Sequence, residues 1–187
     1  MAASSIGGDL TLTSGHAAGI TDSGTITVGG DLTATTDAAN GLINMNTLAV
    51  DGNMTLTTHG SGDATLVNDN ALAFAAVTVG GDLTATATTG NISDSGALSV
   101  SGASSFTTSA NNATITLDTA TNALTGAVTL SSTGSNADVS IDNGSTALSA
   151  QGSIGGNLIL TTGNDIADSD ALTVAGSTLI HTDVTAK

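Results

Sequence analysis

Sixteen aspartates, three histidines and one lysine are almost the whole ionisable inventory of this 187-residue chain, and the formal net charge is −15. The aspartates are the site-formers to weigh first, because they recur at fixed places. Asp9, Asp31 and Asp82 each follow Gly-Gly, with Asn53 and Asn157 in equivalent places. Asp22, Asp94 and Asp168 each sit in an Ile-x-Asp-Ser unit. Carboxylates stacked about 5 Å apart repel unless a cation or hydrogen bonds intervene. Two readings follow: a row of weak calcium sites on these six residues, or turn capping in which each Asp bonds its own backbone. The Gly-Gly-x-Gly-x-Asp nonapeptide of calcium-binding β-rolls does not occur. Apart from that calcium no cofactor is expected.

Catalysis is not expected. Hydrolysis or elimination on sugars needs paired carboxylates or a strong base in a cleft, usually with Arg, Lys, Tyr or Trp gripping the substrate. The chain has no Arg, Tyr or Trp, and its Lys187 is the last residue. His16, His59 and His181 fall at non-equivalent places and form no ligand spacing. No Gly-x-Ser-x-Gly occurs and there is no Cys, so neither that nucleophile elbow nor thiol chemistry is available. Without a basic cluster, nucleic acid is not an expected partner, because phosphate binding depends on Lys and Arg displacing counterions.

The elements that must carry these residues follow from a repeat. Val-Gly-Gly-Asp-Leu-Thr-Ala-Thr stands at 28–35 and again at 79–86. Aligned on it, repeats begin near Gly7, Gly29, Asp51, Gly80, Ser101, Ser131 and Gly155, with a usual length of about 22 residues. Within a repeat, Leu32 and Ala34 alternate with Thr33 and Thr35, the period-2 signature of a strand with one buried face. Asp37 to Gly41 is a turn, a short segment about Leu42 follows, and Leu48 and Val50 alternate again. The absence of Pro suits strands that must all donate to a neighbour. The expected fold is all-β, a right-handed parallel β-helix of about 7–8 coils with three short strands each, forming one domain over 1–187. Residues 51–79 and 101–130 read as coils with surplus loops, tipped by Asn68-Asp69-Asn70 and Ala110-Asn111-Asn112.

Gly7-Gly8-Asp9-Leu10-Thr11-Leu12-Thr13, followed by Gly19-Ile20-Thr21-Asp22-Ser23-Gly24 and Thr25-Ile26-Thr27-Val28-Gly29-Gly30, resembles the repeat of filamentous-haemagglutinin-like exoproteins. It is echoed at Gly80 to Leu83 with Ile92 to Gly96, and at Gly155 to Leu158 with Ile166 to Ser169. Those are large adhesins of Gram-negative bacteria, exported by two-partner secretion. The resemblance implies an extracellular or bacterial cell-surface location, with host or neighbouring-cell glycans as partners. Met1 to Ser5 carries neither the basic nor the apolar region of a signal peptide. The expectation is a mature or excised segment, or another export route. No apolar run approaches the roughly 18–20 residues that span a bilayer, so no membrane insertion is expected.

Two functions remain. The first is a structural, non-catalytic subunit that stacks head to tail on copies of itself into a filament, or forms the shaft of a surface adhesin. The second is ice binding through outward Thr-x-Thr pairs. These are Thr11 and Thr13, Thr33 and Thr35, Thr55 and Thr57, and Thr84 and Thr86, read as one ladder on four successive coils. Thr is also simply favoured on exposed strand faces.

Overall fold

A computed structural model describes residues 1–182, and for Asp168 and Ser169 the backbone alone. The described residues form a parallel β-solenoid of about 8 turns with successive turns roughly 21 residues apart, and no helix. The strands lie in two sheets, one of 10 strands that begins with Ser4–Ile6 (the first sheet) and one of 11 that begins with Leu10–Ser14 (the second). Every pairing is parallel, so each coil donates and accepts along its whole length.

Each coil has one side in each sheet, and the sides come in two lengths. A short side is a single strand of four or five residues, such as Leu10–Ser14 or Leu83–Ala87. A long side is one extended strand such as Ile43–Val50, or two short strands with a bend between them, as in Ile20–Thr21 plus Ile26–Val28. The three short strands expected per coil are thus one short side and the two halves of a long one.

The two sides do not keep their sheets. In the first two coils the short side lies in the second sheet, at Leu10–Ser14 and Leu32–Thr36. Two short sides then follow in succession, Asn53–Thr57 and Ala64–Asn68. From there the long sides lie in the second sheet: Leu72–Val79, then 92–100 and 115–124. The short sides of these coils, Leu83–Ala87, Ser104–Thr108 and Ala127–Ser131, lie in the first. A second succession of short sides, Ala127–Ser131 then Val139–Asp142, restores the original arrangement, with Leu148–Ile154 and Ile166–Val174 as long sides in the first sheet.

This alternation corrects the expected coil boundaries. Residues 51–79 are not a coil with an insertion but a coil and one extra short side. Asn68, expected at a loop tip, is fully buried. The twin octapeptides occupy different sheets: Leu32 pairs with Leu10 and Met54, whereas Leu83 pairs with Ala64 and Ser104. The coil start expected at Ser131 lies at Gly126, whose N–H donates to Gly102 O at 3.2 Å. Ser131 is the last residue of its strand.

The core runs unbroken between the sheets. The inward residues form columns in which one coil sits over the next, among them Met45, Leu66, Ala85, Phe106 and Leu130. Leu42 is exposed, and its neighbour Ile43 is the buried residue of that segment. Ser104 interrupts the Ala64, Leu83, Val128 column, and its Oγ is the buried side-chain oxygen without a partner among the described residues.

Two substitutions test this packing. Leu66→Ala leaves a cavity between Met45 and Ala85 and is expected to cost about 2–5 kcal/mol. Ser104→Ala removes an unpaired buried hydroxyl and is expected to raise stability by about 1 kcal/mol. Denaturant midpoints of both variants check the pair of signs.

Candidate functional site

At the corner that opens each short side except Val139–Asp142, the chain passes a Gly-X step where X is Asp, Asn or a small residue. The strand ladder alone does not satisfy the N–H of X. A side chain from the coil below does so. Asp9 Oδ1 accepts the Asp31 N–H at 2.9 Å, and Asp31 Oδ1 accepts the Asn53 N–H at 2.7 Å. In the other sheet Asp63 accepts from Asp82 at 2.8 Å, and Asp82 accepts from Ala103 at 2.7 Å. Nearer the last coil Asp138 accepts from Asn157 at 2.7 Å, and Asn157 accepts from Ser177 at 2.9 Å.

The residue before each donor is glycine, and the reason is space. A Cβ on Gly30 would lie 2.1 Å from Asp9 Oδ1, and one on Gly81 would lie 2.1 Å from Asp63 Oδ1. Gly52, Gly102, Gly156 and Gly176 meet the Oδ1 below them at 2.5, 2.2, 2.4 and 2.6 Å. The second glycine of the Gly-Gly pair is therefore the required one. The first is replaced by Asp51, Ser101 and Ala175 where the second remains.

Asp9, Asp31 and Asp82 are thus brought into inter-coil bonds rather than bonds to their own turns, and not into one row. Asp9 and Asp31 adjoin in the second sheet, while Asp82 adjoins Asp63 in the first. Asp63 and Asp138 lie outside the sequence pattern because no Gly-Gly precedes them. Their signal is a glycine 18 residues further on, at Gly81 and Gly156.

The Ile-x-Asp-Ser aspartates also serve the next coil. Asp22 accepts the N–H of Asn46 at 3.1 Å on Oδ1, and the N–H and hydroxyl of Thr47, both at 2.8 Å, on Oδ2. Partial burial pushes its carboxyl up, but the Thr47 hydroxyl and the backbone N–H groups outweigh that and hold it below its ordinary value of 3.8. Asp94 accepts from the Asp118 N–H at 3.1 Å and from Asn122 Nδ2 at 2.6 Å. Asp94 lies on a long side of the second sheet and Asp22 on one of the first, so these residues form no common row either. The side chain of Asp168 lies outside the described residues. Among those residues no group of three or more His, Cys, Asp or Glu is placed to hold a metal ion.

Buried amides extend the same device into the core. Asn68 Oδ1 accepts the Val50 N–H at 2.8 Å while its Nδ2 donates to Val50 O at 3.0 Å, so the side chain pairs as a strand residue does. Asn143 repeats this on Leu124 at 2.8 and 3.1 Å.

The expected four-rung Thr ladder does not exist as one row, because it divides between the sheets. The pairs Thr11 and Thr13, Thr33 and Thr35, and Thr55 and Thr57 stack in the second sheet, but the next pair there is Ala76 and Thr78. Thr84 and Thr86 are not the fourth rung of that stack. They belong to the first sheet, where Thr84 sits between Thr65 and Ser105, and Thr86 sits between Val67 and Thr107. Thr84 is exposed, whereas Thr86 is half-buried. Their row continues to Thr129 and Ser131. The correction has the same physical cause as the coil boundaries: two short sides in succession carry the second octapeptide onto the other sheet.

Residues 61–131 and 136–186 match the family model described as repeats of unknown function (DUF5649). The chain belongs to that family. No curated protein and no solved structure shows a significant match to it. The two matched stretches open beside Ala64–Asn68 and Val139–Asp142, the strands at which the sides exchange sheets. The first matched stretch thus spans the block between the two exchanges, and the second begins at the second exchange.

Three outcomes test the corner. Gly81→Ala, which drives a methyl onto Asp63 Oδ1, is expected to destabilise more than Asp63→Ala, which frees one N–H at about 1–3 kcal/mol. Calcium against chelator at matched ionic strength is expected to leave the melting midpoint unchanged, since these carboxylates already have partners. The Asp22 contribution is present above pH 3.8 and is lost as pH falls through its lower folded value. Asp22→Asn should therefore flatten the acid limb of the stability curve.

Proposed function

We propose that this chain is a structural, non-catalytic β-solenoid that works as a stiff shaft, in an extracellular filament or in a bacterial surface adhesin of the filamentous-haemagglutinin type. One observation carries the reading. The aspartates that recur at the corners and in the Ile-x-Asp-Ser units are engaged in joining coils, at Asp9, Asp22, Asp31, Asp63, Asp82, Asp94 and Asp138. A side chain committed to holding a corner is a poor acid, base or ligand. The apolar columns fill the space between the sheets, which gives bending stiffness. About 8 coils at about 4.8 Å each make a segment roughly 40 Å long. Corner loops are the surfaces on which a shaft offers glycan contacts.

Antibody raised against the chain is expected to label intact producing cells, with immunogold on extended fibres. Label that appears only after lysis overturns the extracellular placement. Solution scattering from the purified chain is expected to fit a stubby cylinder of roughly 40 Å, the length that about 8 coils make, and an expanded, chain-like profile overturns the shaft.

Ice binding is the second reading, favoured by the uncharged hydroxyl rows in register on both sheets. Growing ice crystals are expected to keep their ordinary shape with the chain present. Faceting and thermal hysteresis, lost in Thr84→Lys, would promote that reading over the shaft.

A further inference from the structure

We propose that Asn53 is an acceptor for an N-linked sugar, transferred from a donor that carries the sugar on a phosphate ester at its anomeric carbon. This goes beyond the shaft reading and can fail while that reading stands. Asn-x-Ser/Thr is the segment in which an asparagine amide takes a sugar. It occurs four times, beginning at Asn53, Asn91, Asn112 and Asn143. A chain rich in Thr and Ser writes such triplets by chance, and the fold separates them.

Three of the four asparagines join coils. Asn143 is buried, and its Nδ2, the atom that would carry the sugar, donates to Leu124 O, Thr146 O and Ala147 O at 3.1, 3.1 and 3.0 Å. Asn91 and Asn112 are exposed, but Oδ1 of each accepts a backbone N–H of the next coil, from Thr114 at 2.9 Å and from Asn136 at 3.1 Å. Asn53 has no such task. It is third in the column of Asp9 and Asp31, and its own N–H is held by Asp31 Oδ1 at 2.7 Å. Above it the column stops, because the first exchange sets the long side Leu72–Val79 there, with Ala73 over Asn53. The Asn53 amide is exposed and has no hydrogen-bond partner among the described residues. The column of Asp63 and Asp82 stops at Ala103, so the residue that ends a column needs no polar side chain.

The surroundings suit the chemistry. Thr55 lies two residues on, on the same outward face of the strand and about 6.7 Å away. Asn53 alone of the four has an acid two residues before it, Asp51, which a basic group of a transferase can use to seat the segment. In the transfer, Nδ2 of Asn53 bonds to the anomeric carbon. The bond from that carbon to the phosphate oxygen breaks, its electron pair leaves with the phosphate, and one amide proton goes to a base of the transferase. In the finished rod Asn53–Thr57 is paired on both edges, with Leu32–Thr36 and with Leu72–Val79, and cannot curl into an enzyme cleft. Transfer therefore precedes closure of this coil, and the small Ala73 leaves the sugar room on the surface afterwards.

Mass spectrometry of the full chain from its producing cells tests the assignment. A protease that cuts before aspartate places the four asparagines in separate fragments, 51–62, 82–93, 94–117 and 142–164. Fragment 51–62 is expected to carry sugar and 142–164 to carry none. A single hexose marks a nucleotide-sugar donor, and a larger preassembled block marks a lipid-linked one. In the same cells Asn53→Gln and Thr55→Ala are each expected to remove the added mass completely. Made in a host without the transferase, Asn53→Gln is expected to melt at the temperature of the parent, since it removes no bond. Fragment 51–62 at its unmodified mass overturns the assignment. So does added mass that survives Asn53→Gln, which would place the sugar on a hydroxyl. Both results leave the shaft reading intact.

Discussion

A parallel solenoid has to turn its chain at the end of every side, and at each turn a backbone N–H leaves the ladder with no carbonyl opposite. Left unpaired and shielded, such a group costs on the order of 1–3 kcal/mol. Here, at six of the corners that open short sides, an Asp or Asn oxygen from the coil below takes the place of the carbonyl, and a glycine beside the donor gives that oxygen room. The bond fixes three things together. It sets the height of one coil on the next, the residue at which a side begins, and hence which residues face inward. The columns of Leu, Ile, Val and Phe follow from that register, because a slip of one residue in a strand would turn the inward set outward.

The unit that this bond joins is a side and not a coil. A short side opened by Gly-Asp-Leu fits on either sheet, as the twin octapeptides demonstrate by lying on different ones. Succession of two short sides is then enough to exchange the sheets, at the first exchange with a register shift where a long side meets a short one. Such shifts lie between Met45 and Leu48 and between Met54 and Thr55. Asn68, at the first exchange, spans the gap by pairing its amide with the Val50 backbone. A buried amide is tolerable there because all of its bonding capacity toward the chain is used.

Much of the fold is legible in the sequence because strands with one buried face write period 2 directly. Leu32, Ala34, Leu83 and Ala85 are readable as inward from their Thr neighbours alone. Which sheet each strand joins is not readable, because identical strings carry no record of the face they occupy. Thr84 and Thr86 therefore look like a continuation of Thr33 and Thr35 when they stand on the other sheet. The Asp positions are readable as corners, but their partners stand a full coil away, where local motif reading has no reach. For that reason the oxygens of Asp9 and Asp31 look like caps of their own turns. Asp63 and Asp138 escape a pattern anchored on Gly-Gly, since the governing glycine is the one in the following coil. The short segment expected about Leu42 is present, but Ile43 is its buried residue and Leu42 points outward.

The charge distribution has the same origin. Most Asp lie at corners and bends, with Asp94 and Asp142 at strand ends and Asp170 within Ile166–Val174, so the strand faces of both sheets are mainly rows of Thr, Ser, Ala and Val with few charges. Successive corner aspartates repel, but each also accepts an N–H from the coil above, and salt screens the remainder over about 8–10 Å. Side-by-side approach of two rods would bring these carboxylates together, with no bond gained in return. Along the axis, by contrast, each coil meets the next through a backbone ladder and apolar columns. A net charge of −15 therefore opposes side-by-side bundling, and the geometry that solves the corner also fixes where along the rod much of that charge is held.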